Sequence, residues 1–251
     1  DTFNHSIRRM FLSTGVVETF VGVSGTPGFV DSPTPRFNQP MGMTRIGDFL
    51  YVADRGNGAV RQIQISTRTV ATLNGFFNGP QDITTDGAVL YVADTGNHAI
   101  RSIDPSTGDL ATVVGILGQA VPLAEADVEP SATARLRTPG GVLYHNGFLY
   151  ISDTGNYIIR KAKHSTGEVS ILAGDKNCII DTTTGDGTPG SGTTTCTGQP
   201  TGTSNYIDST DQTGKTASFG SPSGLAADDN NLYVMDSANS SLRQVNPVTG
   251  E

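Results

Sequence analysis

Apolar and polar positions along this chain follow a pattern that returns several times. Four apolar runs end in an aspartate: FLYVAD at 49–54, VLYVAD at 89–94, FLYISD at 148–153 and NLYVMD at 231–236. A polar turn containing asparagine follows each run, and then a stretch such as AVRQIQI at 59–65, in which apolar and polar residues alternate. Short runs of this kind, bounded by Gly, Asn and Asp, predict β-strands joined in hairpins.

The aspartate that ends each run opens a repeated frame, Asp-x-x-Asn-x-x-φ-Arg, in which φ is apolar. A threonine thirteen residues after the aspartate marks a second turn, and a proline lies fourteen residues before the next aspartate. These intervals are constant while the aspartates are spaced irregularly, so the variation in length falls in one connection of the repeat. The five copies of the frame occupy residues 1–8, 54–61, 94–101, 153–160 and 236–243.

Each repeat has room for four short antiparallel strands, which we label a to d. Strand a follows the proline, b is the apolar run, c follows the asparagine turn and d follows the threonine turn. Four strands in about 40 residues with this turn chemistry predict one blade of a β-propeller, and hence an all-β fold. We expect full blades at 40–75, 80–115 and 139–174, strands c and d of a blade at 1–22, and strands a to c of another at 222–251.

The residues between strand d of one blade and strand a of the next form insertions, the longest at 175–221. A β-sandwich or a solenoid is the alternative fold, and the blade-length repeat disfavours it. About five four-stranded antiparallel blades are visible. Because strand c occurs at both ends and one strand d is missing, we expect a segment of a longer polypeptide and a six-bladed propeller.

The motifs P-x-G-φ, LYVADTGNHAIR and STG-x-φ-x-T-x-x-G recur along nearly the whole chain and resemble the NHL repeat. The resemblance implies a β-propeller and identifies no function. Some NHL-like propellers are zinc-dependent lyases, which makes the histidines candidate ligands. His5 and His98 share one turn position, while His145 and His164 belong to turns at the opposite ends of the strands, so no three converge on one zinc. We therefore expect no metal, no cofactor and no enzymatic activity.

The aspartate and the arginine of the frame are predicted to form a structural pair. In a b–c hairpin Asp54 faces Ala59, which places Arg61 diagonally across on the same face, within reach of a long side chain. Five copies of one pair indicate clasps that brace the hairpins rather than five active sites. Four of the pairs are Asp54–Arg61, Asp94–Arg101, Asp153–Arg160 and Asp236–Arg243.

Charge and hydropathy narrow the range of partners. The net charge is -8 and the 16 Lys and Arg residues are spread along the chain, so no basic surface is predicted that would neutralise a phosphate backbone. No apolar stretch approaches the roughly 20 residues of a membrane span. We expect neither nucleic acid binding nor direct membrane insertion, and a protein as the partner: other domains of the same polypeptide, or further copies in an assembly.

The two cysteines and two asparagines favour a location outside the cytoplasm. Cys178 and Cys196 are the only cysteines and both lie in the longest insertion, around a loop rich in Thr and Gly. We predict a disulfide between them. Asn4 and Asn239 begin N-glycosylation sequons, although both also stand in the turn of the repeat, where asparagine has a backbone role. The predicted location is extracellular or at the cell surface.

These features together favour a non-enzymatic binding or scaffolding module of a larger secreted or cell-surface protein. Insertions between strands d and a emerge at the same edge of the blades as the b–c turns, because each strand reverses direction. We expect the partner to contact this edge. The alternatives are a structural subunit of an extracellular appendage or matrix, and a metal-dependent lyase or hydrolase of the NHL-like class.

Overall fold

A computed structural model describes residues 1–73, 75–120, 128–175, 178–181, 193–196 and 217–250, with backbone alone in the two shortest segments. The fold is an all-β propeller of antiparallel sheets, and the predicted fold class is confirmed. The chain divides into two compact units, Asp1–Val113 with Leu117–Gln119, and Val114–Ile116 with Ala120–Glu251.

The first unit contains three sheets, with only the last residue of β10 counted in the second unit. The first blade pairs two strands, and the second and third blades have four strands each in sequential order. The strands are β1 (Ile7–Met10), β2 (Val17–Val21), β3 (Pro40–Ile46), β4 (Phe49–Asp54), β5 (Ala59–Gln64), β6 (Val70–Thr72), β7 (Asp82–Thr85), β8 (Leu90–Asp94), β9 (Ala99–Ile103) and β10 (Leu110–Val114).

The second unit contains the fourth and fifth blades and a separate hairpin. The fourth blade is a five-stranded sheet in which β11 joins the outer strand β15, and the fifth blade has three strands. The strands are β11 (Val128–Pro130), β12 (Gly141–His145), β13 (Phe148–Asp153), β14 (Ile158–Lys163), β15 (Glu168–Ala173), β16 (Cys178–Asp181), β17 (Thr193–Cys196), β18 (Pro222–Ala227), β19 (Leu232–Asp236) and β20 (Ser241–Val245).

Strand b of the second, third and fourth blades lies in the core because it is apolar on both faces. Val52, Val92 and Ile151 are fully buried in β4, β8 and β13. Side chains of one blade pack on those of the next: Tyr51 and Ala53 share a cluster with residues of β7 and β8. In β4, where Val52 packs on the first blade and Tyr51 on the third, the continuous apolar run therefore follows from burial by a neighbouring blade on each side.

A short 3-10 turn joins strands b and c and fixes the geometry of the repeat. In the second blade it spans Arg55–Asn57 and ends at Gly58, which has a left-handed backbone conformation. Glycine adopts this conformation without steric cost. Across the hairpin Asp54 pairs with Ala59 and Val52 with Arg61. The aspartate and the arginine thus lie on one face of the sheet.

The insertions extend further than the sequence predicted. The insertion at 23–39 begins beside a b–c turn, where Gly25 donates to the carbonyl of Asn4, as predicted for that edge. It then runs along the outer strand β6, where Ser32 donates its N–H to the carbonyl of Val70. The first insertion therefore emerges at the predicted edge and extends beyond it. An outer strand leaves backbone groups unpaired, and the insertion satisfies some of them.

Candidate functional site

The aspartate and arginine of the repeat form a buried ion pair in the fourth blade. Arg160 donates from Nε to Oδ2 of Asp153 at 2.7 Å, and both side chains are almost fully buried. The same carboxylate accepts the backbone N–H of Arg137 at 2.7 Å and the side-chain amide of Asn156 at 2.9 Å. One carboxylate thus joins strand c, the b–c turn and the segment that leads into strand a.

The arrangement recurs in the other blades. In the second blade Asp54 accepts from Asn38, Asn57 and Arg61 at 2.7–2.8 Å. The aspartate-to-arginine distances are longer in three blades: 3.6 Å for Asp94–Arg101, 3.5 Å for Asp236–Arg243 and 3.5 Å for the more exposed Asp1–Arg8. In each full blade, a backbone N–H donates to the carboxylate of the aspartate that follows it by sixteen residues. These contacts support a structural role for the pairs, which we propose as clasps.

The arginines of the second to fifth blades make a further contact that the sequence analysis missed, and three of them make a second. Each donates to the carbonyl of the residue eighteen positions before its aspartate, as Arg101 does to Phe76 at 2.8 Å. The next residue supplies a ring under the guanidinium: Phe77 lies 5.4 Å from Arg101. The segments RFNQP, FFNGP and SFGSP carry this phenylalanine, and RLRTP has leucine instead. The recurring Phe three residues before proline was the available signal.

Two insertion carboxylates were missed as well, and they add a second acid to the clasp. Asp31 lies 2.6 Å from Nη2 of Arg61, and Glu129 lies 3.1 Å from Nη1 of Arg160. Glu129 is in β11, which pairs with the outer strand β15. The insertions ahead of the second and fourth blades are therefore anchored to the arginine of the blade that follows.

Burial and hydrogen bonding act in opposite directions on these acids. Burial raises the pKa of Asp54, Asp94 and Asp153 above the usual value for aspartate. Bonds from the backbone N–H, the asparagine and the arginine lower the pKa, because they favour the ionised form. The arginine is thus one of several groups that favour a charged carboxylate in the blade, and for Asp153 it is the first of them.

The histidines do not gather into a metal site. His5 accepts through Nδ1 from the backbone of Gln39, and His98 has a left-handed backbone in its b–c turn. His145 lies at the end of β12, within 2.9 Å of the amide of Asn146. Within the described residues, no three His, Cys, Asp or Glu side chains are grouped so that they could hold a metal ion.

Glycosylation of the two sequons remains a prediction, and each asparagine also makes a hydrogen bond within its turn. The amide of Asn239 donates to Asp236 at 2.8 Å, and that of exposed Asn4 donates to Asp1 at 3.0 Å.

Among the helices of the described residues, none has the length and apolar character that crossing a membrane requires.

The two cysteines face each other across a hairpin. The backbones of β16 and β17 are antiparallel, and Cys178 is the direct partner of Cys196. Directly opposite Cα atoms in such a pair are about 4.5–5.5 Å apart, within the range that a disulfide spans. The side chains lie outside the described residues, so the bond remains a prediction that this register supports.

We expect the denatured, unreduced protein to show no reactive thiol, and two per chain after reduction. Because the bond would close a loop of about 19 residues, reduction should lower the free energy of unfolding by about 3 kcal/mol. Thiol labelling followed by mass spectrometry measures the first effect, and urea unfolding with and without reductant measures the second. Two labelled cysteines in the unreduced sample would refute the bond.

Comparisons with known proteins give the fold independently of the repeat. No protein-family model and no curated protein matches the sequence. Among solved structures, the chain is similar to an auxiliary nutrient binding protein from Bacteroides thetaiotaomicron, with a TM-score of 0.59 and 17% identity over 92% of this chain and 50% of that one. The chain thus spans about half the length of that protein.

Two further structures are similar along almost the whole chain. A catalytically inactive virginiamycin B lyase from Staphylococcus aureus, crystallised with quinupristin, has a TM-score of 0.56 and 14% identity over 99% of this chain and 62% of that one. A chain of a nidogen/laminin complex has a TM-score of 0.53 and 13% identity over 100% of this chain and 89% of that one. Membership of the NHL family stays a prediction. At these identities the likeness shows the fold, and the chain is a β-propeller.

Proposed function

We propose that the chain is a non-enzymatic binding module of a larger secreted or cell-surface protein, and that it contacts a protein partner through its insertions. The observation that carries this proposal is the anchoring of the insertions. Arg61 and Arg160, both almost fully buried, hold Asp31 and Glu129. Binding residues are concentrated in loops that a rigid scaffold positions, and these loops are positioned in that way.

The exposed side chains of the insertions suit a protein surface. Phe29 is 57% exposed and Leu117 is 47% exposed, and each lies in a segment bonded to a b–c turn. Exposed apolar residues on anchored loops bind with little loss of loop entropy. Similar propellers are described as a nutrient binding protein and as part of a nidogen/laminin complex, which supports binding as the role of this fold.

Photo-crosslinking from two exposed positions of the first unit tests the proposal. Ser24 lies in the first insertion, beside a b–c turn, and Ala88 lies in the a–b turn at the other end of the strands. With a photoreactive amino acid at each site, we expect adducts to one defined protein in native extracellular material from Ser24 only. The analysis is by mass spectrometry. Equal adducts from both sites, or none from Ser24, would contradict the proposal.

A further inference from the structure

The first insertion delivers an acid to the outer edge of the second blade. Asp31 accepts from Nη2 of Arg61 at 2.6 Å and from Oγ1 of Thr72 at 3.0 Å. Arg61 and Thr72 are direct partners across β5 and β6. The ring of Phe29, two residues before the acid, lies 5.1 Å from the guanidinium. The site thus consists of two hydrogen-bond donors on neighbouring strands, Arg61 and Thr72. The guanidinium of Arg61 also lies against an aromatic ring.

The backbone of the same segment lies along the outer strand. Val70 donates its N–H to the hydroxyl of Ser32 at 2.8 Å, and Ser32 donates its N–H to the carbonyl of Val70 at 3.3 Å. In the fourth blade β11 pairs with β15 and places Glu129 on Arg160. Two insertions of different sequence therefore have the same arrangement. In each, an extended segment lies along the outer strand of the blade and places one carboxylate on the arginine of the repeat.

Among the described residues, the third blade has the donors of this site and no second acid bonded to them. Arg101 and Thr112 stand at the repeat positions of Arg61 and Thr72, seven and eighteen residues after the aspartate. Nη1 of Arg101 is engaged by Phe76 and Asp94, and Nη2 donates to none of the described residues. Thr112 is exposed, and β10 is the edge strand of its sheet in the part of the chain described.

The reason is the length of the connection. The second and third blades are joined by six residues, from the glycine at 75 to the proline at 80, fewer than the first insertion uses to reach β6. This short connection contains no acid, and it supplies to Arg101 the carbonyl of Phe76 and the ring of Phe77. The side chain of Phe76 is 92% exposed. The side chain of Arg101 is 12% exposed, whereas that of Arg61, which the first insertion covers, is fully buried.

We propose that the outer edge of the third blade binds an extended segment of a partner protein that carries an aspartate with an aromatic residue two positions before it. The segment would pair with β10 as residues 29–32 lie along β6. The aspartate of the partner would accept hydrogen bonds from Nη2 of Arg101 and from Oγ1 of Thr112, which stands at the position of Thr72. The aromatic ring of the partner would cover the guanidinium of Arg101. The exposed Phe76 adds apolar surface beside the site.

The charge of the protein restricts the ligand further. A net charge of -8 repels strongly acidic segments at a distance, so a run of acids is disfavoured. A single carboxylate flanked by apolar residues keeps the local ion pair and avoids this repulsion. The first insertion has that composition, with PGFVDSPT at 27–34.

A peptide copied from the first insertion tests the proposal. The probe is the acetylated and amidated peptide Pro-Gly-Phe-Val-Asp-Ser-Pro-Thr, titrated into the whole protein and followed by amide NMR. We expect shifts confined to β9 and β10 with a dissociation constant in the high micromolar to millimolar range, as for a short segment with one ion pair. Replacing its aspartate by asparagine should weaken binding about tenfold or more, since the charged bond is lost.

Two variants assign the site without disturbing the clasp. Thr112→Glu places a carboxylate beside Arg101 within the chain, and we expect it to weaken binding of the aspartate peptide at least about tenfold. Thr112→Gln has the same size as Thr112→Glu without the charge. It also removes the hydroxyl that would bind the aspartate, so we expect it to weaken binding, but by several-fold less than Thr112→Glu does. Thermal unfolding of both variants checks that the blade is intact.

Several results would overturn the proposal. These are equal binding of the aspartate and asparagine peptides, unchanged binding by Thr112→Glu, shifts centred on β6, or no binding at millimolar peptide. The proposal goes beyond the function proposed above, because it concerns the outer edge of the third blade and not the insertions. Crosslinking through Ser24 would be unaffected by Thr112→Glu, so the two proposals fail separately.

Discussion

Replacing Arg160 by methionine is expected to lower the free energy of unfolding by about 3–5 kcal/mol, the range for breaking a buried pair from one side. The change keeps much of the apolar bulk and removes the charge. It leaves two acids without their cation, Asp153 at 0% and Glu129 at 8% side-chain exposure. Urea denaturation followed by circular dichroism and by tyrosine fluorescence measures the loss.

The first blade provides a control at the same repeat position. Arg8 and Asp1 are 36% and 30% exposed and 3.5 Å apart, so Arg8→Met should cost only about 0–1 kcal/mol. The double variant Arg160→Met with Glu129→Gln should be less destabilised than the sum of the single changes, because one of the stranded acids is neutral. Equal losses in the Arg8 and Arg160 variants would show that burial of the pair does not matter.

The loss in the Arg160 variant should also depend on pH. In the wild type the Arg160 cation lowers the pKa of Asp153 against the effect of burial. Without the cation the pKa rises further, so the folded variant takes up protons as the pH falls. A raised folded-state pKa stabilises the folded state in acid and loses that effect as the pH rises. The destabilisation should therefore be smaller near about pH 4 than at pH 7.

The blades were predictable because their information is local and repeated. Asp94, Asn97 and Arg101 stand at fixed short intervals, and a four-residue turn brings them onto one face of the hairpin. Apolar runs of five or six residues between turn residues fixed strand b in the same way. The strands of the three full blades consequently lie within the predicted ranges.

The second acid of the clasp was not predictable by the same reasoning. Asp31 precedes Arg61 by thirty residues and Glu129 precedes Arg160 by thirty-one, and the insertions that carry them share no motif. Only the folded chain shows that both insertions turn back along an outer strand. The path of an insertion depends on which backbone groups remain unpaired beside it, and the sequence of one repeat does not encode that.

The close approach of the fourth and fifth blades at Gly141 predicts a second large effect on the free energy of unfolding. Gly141 and Gly224 both stand two residues after the proline that opens a blade. A Cβ atom at Gly141 would collide with the carbonyl oxygen of Ser223, whereas one at Gly224 would meet nothing within 4 Å. The carbonyl cannot move freely, because it accepts the hydroxyl of Ser152 at 2.6 Å.

Gly141→Ala is therefore expected to lower the free energy of unfolding by about 1–3 kcal/mol, because the added methyl group must separate two packed backbones. Gly224→Ala at the equivalent position should change it by no more than about 0.5 kcal/mol, since its surroundings are open. Thermal and urea unfolding of the two variants, side by side, measure the difference. Similar effects at the two positions would mean that the contact between β12 and β18 is looser than the structure has it, and that the blades do not depend on glycine there.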